Sequence, residues 1–281
     1  RAFANKIWNA ARFIFLNLER SGVEPWMPAH QASYLPESCD GGAPPLEDRW
    51  MFSRLNRCAE AVHRAMSQFR YHEAAQTLWH FFWHEFCDWY LELKKLRLEP
   101  ASGLNAHWRN LLTAYEAALR LLHPVMPFLT EELWQRLVSS PGSRPPSISL
   151  NRYPQYDPSA TDPAAEAEME ALEEIITVAR NLRADMKVDP KQTLDGVLYA
   201  RGLAAEAARR ESQAIERLAG VSLELVEGPA PELKGAARST PSFDLLLRLP
   251  QAQLEGQRKR LEKEIQQLEK VIANSRRQLG D

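Results

Sequence analysis

The chain has 281 residues, of which 44% are hydrophobic and 26% charged, a balance typical of a soluble globular protein that excludes a largely disordered one. No apolar run approaches the roughly 18 residues that a membrane span needs, and no signal peptide is visible. The formal net charge of −2 argues against a general polyanion binder, so any nucleic-acid contact must come from local faces.

The three cysteines, Cys39, Cys58 and Cys87, are far apart in the sequence. Their spacing fits neither a disulfide framework nor a zinc site, and it predicts reduced thiols in a cytoplasmic protein. The chain opens on Arg1 without an initiator Met and directly inside a helical pattern. We therefore expect a piece of a longer polypeptide.

Helical periodicity dominates the first half of the chain. A first helix is predicted over residues 2–20, and the Pro- and Gly-containing segment at 21–46 is predicted to be a long surface loop. The second helix begins near Leu46 and is expected to bury an apolar side that ends at Phe69. Three more helices are predicted at 71–98, 104–123 and 127–138. The first of these three is aromatic around most of its circumference, which predicts a central position in an all-α bundle.

A Ser- and Pro-rich segment at 139–163, with a short strand predicted at 148–150, is the expected domain boundary. Beyond it the pattern predicts a helix at 164–187, strands at 194–200, 221–226 and 243–249, and a helix at 203–219. The last 30 residues repeat apolar positions with the spacing of a coiled-coil seam, so we expect the first half of an antiparallel arm.

The predicted fold class is therefore mainly α. A helical bundle occupies residues 1–150, and a linking helix and small α+β domain occupy 151–250. A coiled-coil helix occupies 251–281.

The first helix carries an unusual polar side. Phe13 falls outside the buried stripe at about 100° per residue, beside Asn9 and Lys6 and with Arg12 on the flank. An aromatic ring, an amide and two cations suit single-stranded nucleic acid, because the ring stacks on a base, the amide reads a base edge and the cations hold phosphates. The alternative is that Phe13 packs on another helix of the bundle.

Motifs for a self-sufficient active site are absent from the sequence, including phosphate-binding glycine loops and metalloprotease or hydrolase signatures. His80 and His84 are four residues apart, but no third ligand is obvious, so no metal site is expected. Glu85, Asp88 and Glu92 follow one strip of a helix rather than facing each other across a cleft. We expect a polar surface there and no catalytic residue.

Several blocks, taken in order and spacing, resemble the C-terminal half of the valyl-tRNA synthetases, a family of class I aminoacyl-tRNA synthetases. The blocks are F-A-N-K-I-W-N-A-A-R-F (3–13), D-R-W-M-F-S-R-L-N-R (48–57), Y-H-E-A-A-Q-T-L-W (71–79), W-H-E-F-C-D-W-Y-L-E-L (83–93), H-P-V-M-P-F-L-T-E-E-L-W (123–134), E-I-I-T-V-A-R-N-L-R-A-D-M (174–186) and the terminal heptads. The small α+β unit followed by a coiled coil, without a cysteine-rich zinc motif, favours the valine member over the isoleucine member.

The resemblance implies an ATP-dependent ligase that attaches valine to its tRNA. However, the adenylation signatures H-I-G-H and K-M-S-K-S and the editing domain are absent from these residues. The family thus implies the tRNA-holding part, with no cofactor of its own, while ATP and Mg belong to the missing catalytic domain. The implied partners are tRNA(Val) and the catalytic and editing domains of the same polypeptide. A monomer is expected, with coiled-coil pairing through the terminal helix as the alternative.

The resemblance also implies two sets of contacts with tRNA. The anticodon contacts are Lys6, Asn9, Arg12, Phe13, Leu91, Glu92, Lys94 and Lys95. The contacts with the tRNA elbow are Arg258, Lys259, Arg260, Lys263, Arg276 and Arg277. Two other interpretations stay open: the anticodon-binding part of an isoleucyl- or leucyl-tRNA synthetase, and a helical coiled-coil module that binds another protein.

Overall fold

In a computed structural model of the chain, residues 1–22, 35–39, 41–98, 105–137, 145–231, 235–249 and 264–275 are described. The chain divides into two compact units, residues 1–170 and 171–281. No helix within the described ranges is both long and apolar enough to cross a membrane.

The first unit is a helical bundle, as predicted. Its helices are α1 (Ala2–Arg20), α2 (Leu46–Ser67), α3 (Tyr71–His80), a π-helical segment (Phe81–Tyr90), α4 (Leu91–Lys94), α5 (Ala106–Leu122) and α6 (Pro127–Gln135). Helix α7 (Pro163–Asp185) begins in this unit and ends in the second. The predicted loop at 21–46 lies partly outside the described residues, since 23–34 are not among them.

The aromatic helix is central, as its composition predicts. The chain is helical from Tyr71 to Lys94, and the π-helical segment forms its middle. Within it, the fully buried rings of Phe82 and Phe86 stack with centroids 5.1 Å apart, and Phe86 also stacks on Tyr115 of α5 at 6.0 Å. The ring of Phe3 meets Phe82 edge-on at 6.2 Å, which holds α1 against this helix.

Two local predictions are wrong. The expected strand at Ile148–Leu150 is a 3-10 turn, because Ser147 caps it by accepting from the Ser149 N–H and the Ile148 N–H donates to Glu131. Phe69 is 77% exposed rather than buried. Helix α2 ends at Ser67, and Phe69 takes a left-handed conformation (φ 57°) that turns its ring outward.

The second unit contains the predicted small α+β fold. Strands β1 (Leu194–Ala200), β2 (Val221–Glu227), β3 (Ala236–Ser239) and β4 (Phe243–Arg248) form one sheet in the order β2-β1-β4-β3. β1 and β2 are parallel, and α8 (Gly202–Arg210) and α9 (Ser212–Ala219) connect them where one helix was predicted. The short edge strand β3 was not predicted.

The terminal segment is described only at residues 264–275, which are helical. Its described side chains are all exposed, including Ile265, Leu268 and Ile272 of the predicted seam. A coiled-coil partner for this seam stays a prediction.

Candidate nucleic-acid interface

Helix α1 separates a fully apolar face from an exposed one. Ile7, Ala10, Ala11, Ile14 and Leu18 are buried, as the helical spacing predicts. The opposite face carries a row of exposed side chains about one turn apart: Asn5, Asn9, Arg12 and Leu16. The row therefore presents two amides and a guanidinium to solvent, which are groups suited to base edges and phosphates.

Phe13 lies on one flank of this row and is half-buried. The ammonium of Lys95, just past the end of α4, lies 5.1 Å from its ring centroid in a cation–π contact. Lys95 also donates to Glu92 Oε1 at 2.6 Å. The expected stacking ring is thus accessible in part, and a cation already covers one of its faces.

Trp8 lies on the other flank, and sequence reasoning did not select it. Its side chain is 42% exposed, and the guanidinium carbon of Arg136 lies 5.4 Å from its ring centroid. Arg136 follows α6 and is paired with Glu132 at 2.7 Å. Trp8 could have been found by the criterion that selected Phe13, because it too falls outside the buried stripe of the helix.

Lys6 has a structural role in this arrangement. Its ammonium donates to Asp88 Oδ1 at 2.7 Å and lies 5.3 Å from the Trp83 ring centroid, with about a third of the side chain exposed. These contacts attach α1 to the π-helical segment, so the charge of Lys6 is already balanced by a carboxylate.

Two predicted anticodon contacts are wrong. Lys94 is fully buried, and its ammonium lies 2.7 Å from Asp48 Oδ2, so it cannot reach a phosphate. The same carboxylate accepts from Tyr90 at 2.7 Å, and burial beside Asp48 raises the pKa of the Tyr90 hydroxyl well above its usual value. Leu91 is also buried and contributes to the core rather than to the surface.

The carboxylate strip on the aromatic helix is engaged by cations. Glu85 accepts two hydrogen bonds from the Arg54 guanidinium, at 2.7 and 3.0 Å, while Asp88 pairs with Lys6 and Glu92 with Lys95. His80 and His84 each lie beside one of these acids, with Nδ1 3.5 Å from Glu85 and 3.2 Å from Asp88. Asp88 and Glu92 are partly exposed, as expected for a polar surface, whereas Glu85 is buried in its ion pair with Arg54.

Among the described residues, Cys39, Asp48 and His107 offer metal-ligand atoms within 4.8 Å of one another. The Asp48 carboxylate is, however, neutralised by Lys94 and also accepts from Tyr90 and Asn110. A metal cation there would face a buried ammonium, so we assign the cluster to core packing.

The six predicted elbow contacts, Arg258, Lys259, Arg260, Lys263, Arg276 and Arg277, lie outside the described residues. Their contacts with tRNA stay a prediction.

Comparison with known proteins adds independent information. Residues 48–198 match the family described as the anticodon-binding domain of tRNA ligase. Over its whole length the chain is 51% identical to a valine–tRNA ligase of Solibacter usitatus and 35% identical to one of Pseudothermotoga lettingae. A valine–tRNA ligase of Geobacter sulfurreducens is 38% identical over 97% of the chain. The chain spans about 30% of the length of each of these relatives.

A solved LeuRS–tRNA–LeuAMS complex of Agrobacterium radiobacter K84 shares 16% identity with the chain and covers 58% of it. The match covers 17% of that solved chain, and its TM-score of 0.38 is too low to support an inference.

Proposed function

Because the chain belongs to the family of anticodon-binding domains of tRNA ligases, we propose that its helical unit binds the anticodon loop of valine tRNA. The observation that carries this proposal is the exposed face of α1, where Asn9 and Arg12 lie beside the partly accessible ring of Phe13. Aromatic rings, amides and cations on one surface suit unpaired bases, which stack on rings and present their edges to amides.

In this proposal Phe13 and Lys95 exchange partners when RNA binds. In this proposal the base stacks on the face of the Phe13 ring that the Lys95 ammonium now occupies at 5.1 Å. Lys95 is exposed, and its pairing with Glu92 is an exposed ion pair that holds it only weakly. The displaced ammonium is then free for a phosphate, and Glu92 is free to accept from a cytosine amino group.

Asn9 supplies base discrimination in the same proposal. Its amide is exposed one turn before Phe13, and an amide pairs with an adenine edge through one donor and one acceptor. Valine anticodons end in adenine and then cytosine. Arg12, exposed on the same row, would hold a phosphate of the loop.

For the longer protein we propose attachment of valine to its tRNA in the cytoplasm. ATP and magnesium would be used by a catalytic domain outside this chain. The names of the relatives support valine over isoleucine or leucine, and they match the chain at up to 51% identity. The chain's own part is to hold the tRNA, as a monomeric segment joined to the catalytic and editing domains.

Replacing Phe13 with alanine tests the proposed surface. We expect the 281-residue chain to lose about 1–3 kcal/mol of affinity, roughly 5- to 150-fold, for an RNA hairpin with the valine anticodon in its loop. The reason is the loss of one stacked base. Fluorescence anisotropy of the labelled hairpin measures the change.

The matched control is Phe128→Ala, because Phe128 is 91% exposed at the start of α6 and lies outside the proposed surface. Unchanged affinity in Phe13→Ala, with an unchanged thermal midpoint, would contradict stacking on this ring. Equal affinity for hairpins with valine and unrelated anticodons would instead favour the protein-interaction alternative.

We further propose that the terminal arm holds the tRNA elbow through the six predicted cations, Arg258, Lys259, Arg260, Lys263, Arg276 and Arg277. Removing residues 251–281 is expected to reduce the slope of log affinity against log salt for full-length valine tRNA, because each lost phosphate contact removes about 0.7–0.9 from it. The anticodon hairpin, which has no elbow, should show the same slope with both chains. Identical slopes for full-length tRNA would exclude phosphate contacts by the arm.

A further inference from the structure

We propose that Trp8 and Arg136 form a second base-binding site on the helical unit, which receives a different nucleotide of the same loop as Phe13. The inference rests on the proposed function and extends it to two residues that were not among the predicted tRNA contacts. It joins α1 to the residue that follows α6, two elements more than 120 positions apart along the chain.

The Trp8 ring is partly exposed and has a cation beside it. Exposure alone does not distinguish Trp8, since Phe69 and Phe128 are more exposed, but Trp8 keeps 42% of its surface in solvent beside the exposed row of α1. The ring is not simply exposed, since the Arg136 guanidinium carbon lies 5.4 Å from its centroid. An aromatic ring with a cation on it is the pairing that binds unstacked bases in single-stranded RNA.

Trp8 and Phe13 lie on different sides of the exposed row of α1. Five residues on an α-helix separate the two side chains by about 140° around the axis and about 7.5 Å along it. They therefore lie on opposite flanks of the exposed row that carries Asn9 and Arg12. One base cannot contact both rings. If each ring binds its own base, the RNA strand between the two bases must cross the exposed row of α1, and its phosphates then pass Arg12.

The cations beside the two rings differ in chemistry: Phe13 has the Lys95 ammonium and Trp8 the Arg136 guanidinium. An ammonium on a ring face must leave before a base can stack there, as proposed for Lys95. A guanidinium is planar and can remain between an indole and a base, because it stacks on aromatic faces. Glu132 holds Arg136 in an exposed ion pair at 2.7 Å, which is weak enough for Arg136 to adjust to a base or a phosphate.

The test uses the full 281-residue chain and the valine anticodon hairpin. Trp8→Ala is expected to weaken binding about tenfold or more, and Trp8→Phe less, since Phe keeps a stacking surface. Arg136→Lys keeps the positive charge but loses the planar guanidinium, and it is expected to weaken binding. Phe128→Ala is the matched control, since it removes an exposed ring about 12 Å away along α6.

A second measurement separates the two stacking sites. The affinities of wild type, Trp8→Ala and Phe13→Ala are measured for a series of hairpins, each lacking one base of the loop. When the base that stacks on Trp8 is missing, Trp8→Ala should no longer weaken binding, and the same holds for Phe13→Ala and its own base. We expect these two bases to be different. If both substitutions couple to the same base, the second site does not exist.

The outcomes distinguish the two proposals. Loss of affinity in Phe13→Ala with wild-type affinity in both Trp8→Ala and Arg136→Lys would overturn the second site and leave the proposed function standing. Equal binding of valine and unrelated hairpins by the unmodified chain would overturn both. If Trp8→Ala lowers the thermal midpoint, Arg136→Gln tests the second site in its place. This substitution changes only a surface side chain, and it is still expected to weaken binding severalfold.

Discussion

Replacing Lys94 with methionine is expected to lower the free energy of unfolding of the helical unit by about 3–5 kcal/mol. Lys94 and Asp48 have no exposed side-chain surface, and their charged atoms lie 2.7 Å apart. Without the ammonium, the Asp48 carboxylate stays buried with hydrogen bonds from Tyr90 and Asn110 but no balancing charge. Denaturant unfolding followed by tryptophan fluorescence measures the change, because all eight tryptophans lie within residues 1–170.

The neighbouring residue provides a matched control. Lys95→Met is expected to change the free energy of unfolding by less than about 1 kcal/mol, because its pairing with Glu92 is exposed to solvent. The same substitution is expected to weaken binding of the valine anticodon hairpin, which loses a phosphate contact. Equal destabilisation by Lys94→Met and Lys95→Met would contradict the buried ion pair.

A double substitution separates the lost charge from the lost packing. If an unbalanced carboxylate is the cause, Asp48→Asn combined with Lys94→Met should be more stable than Lys94→Met alone. If the two variants are equally stable, the loss comes from packing around Lys94 instead.

Phe86→Ala is the second substitution expected to destabilise the helical unit strongly, by about 3–5 kcal/mol. Phe86 is fully buried in the π-helical segment, with ring centroids 5.1 Å from Phe82, 5.6 Å from Tyr90 and 6.0 Å from Tyr115. Alanine removes these ring contacts and leaves a cavity between the aromatic helix and α5. The same fluorescence-detected unfolding measures the effect.

Two further variants place bounds on this prediction. Phe86→Leu keeps most of the apolar volume and should cost clearly less than alanine. Phe128→Ala should change the free energy of unfolding by less than about 0.5 kcal/mol, because that ring is almost wholly in solvent. A small effect of Phe86→Ala, close to that of Phe128→Ala, would show that the aromatic cluster does not hold the unit together.

The sequence by itself determined most of the secondary structure and the family. Apolar spacing predicted the buried stripe of α1 from Ile7 to Leu18, because residues three or four positions apart lie on the same side of an α-helix. Strands β1, β2 and β4 were predicted because their apolar residues stand between turn residues. The ordered blocks indicated the valyl-tRNA synthetase family, which the comparisons support. The edge strand β3 has four residues, too few for such a pattern.

Only the tertiary structure decided which of the candidate side chains face solvent. Lys94 and Lys95 are adjacent cations of the same type, yet one is buried against Asp48 and the other covers Phe13. The resemblance implied that both lysines contact the anticodon, but the packing of the aromatic helix against α2 brings Lys94 to Asp48 and leaves Lys95 outside. Trp8 and Arg136 meet for a related reason: periodicity fixes the side of a helix on which a residue lies, whereas the packing of distant helices decides what lies opposite it.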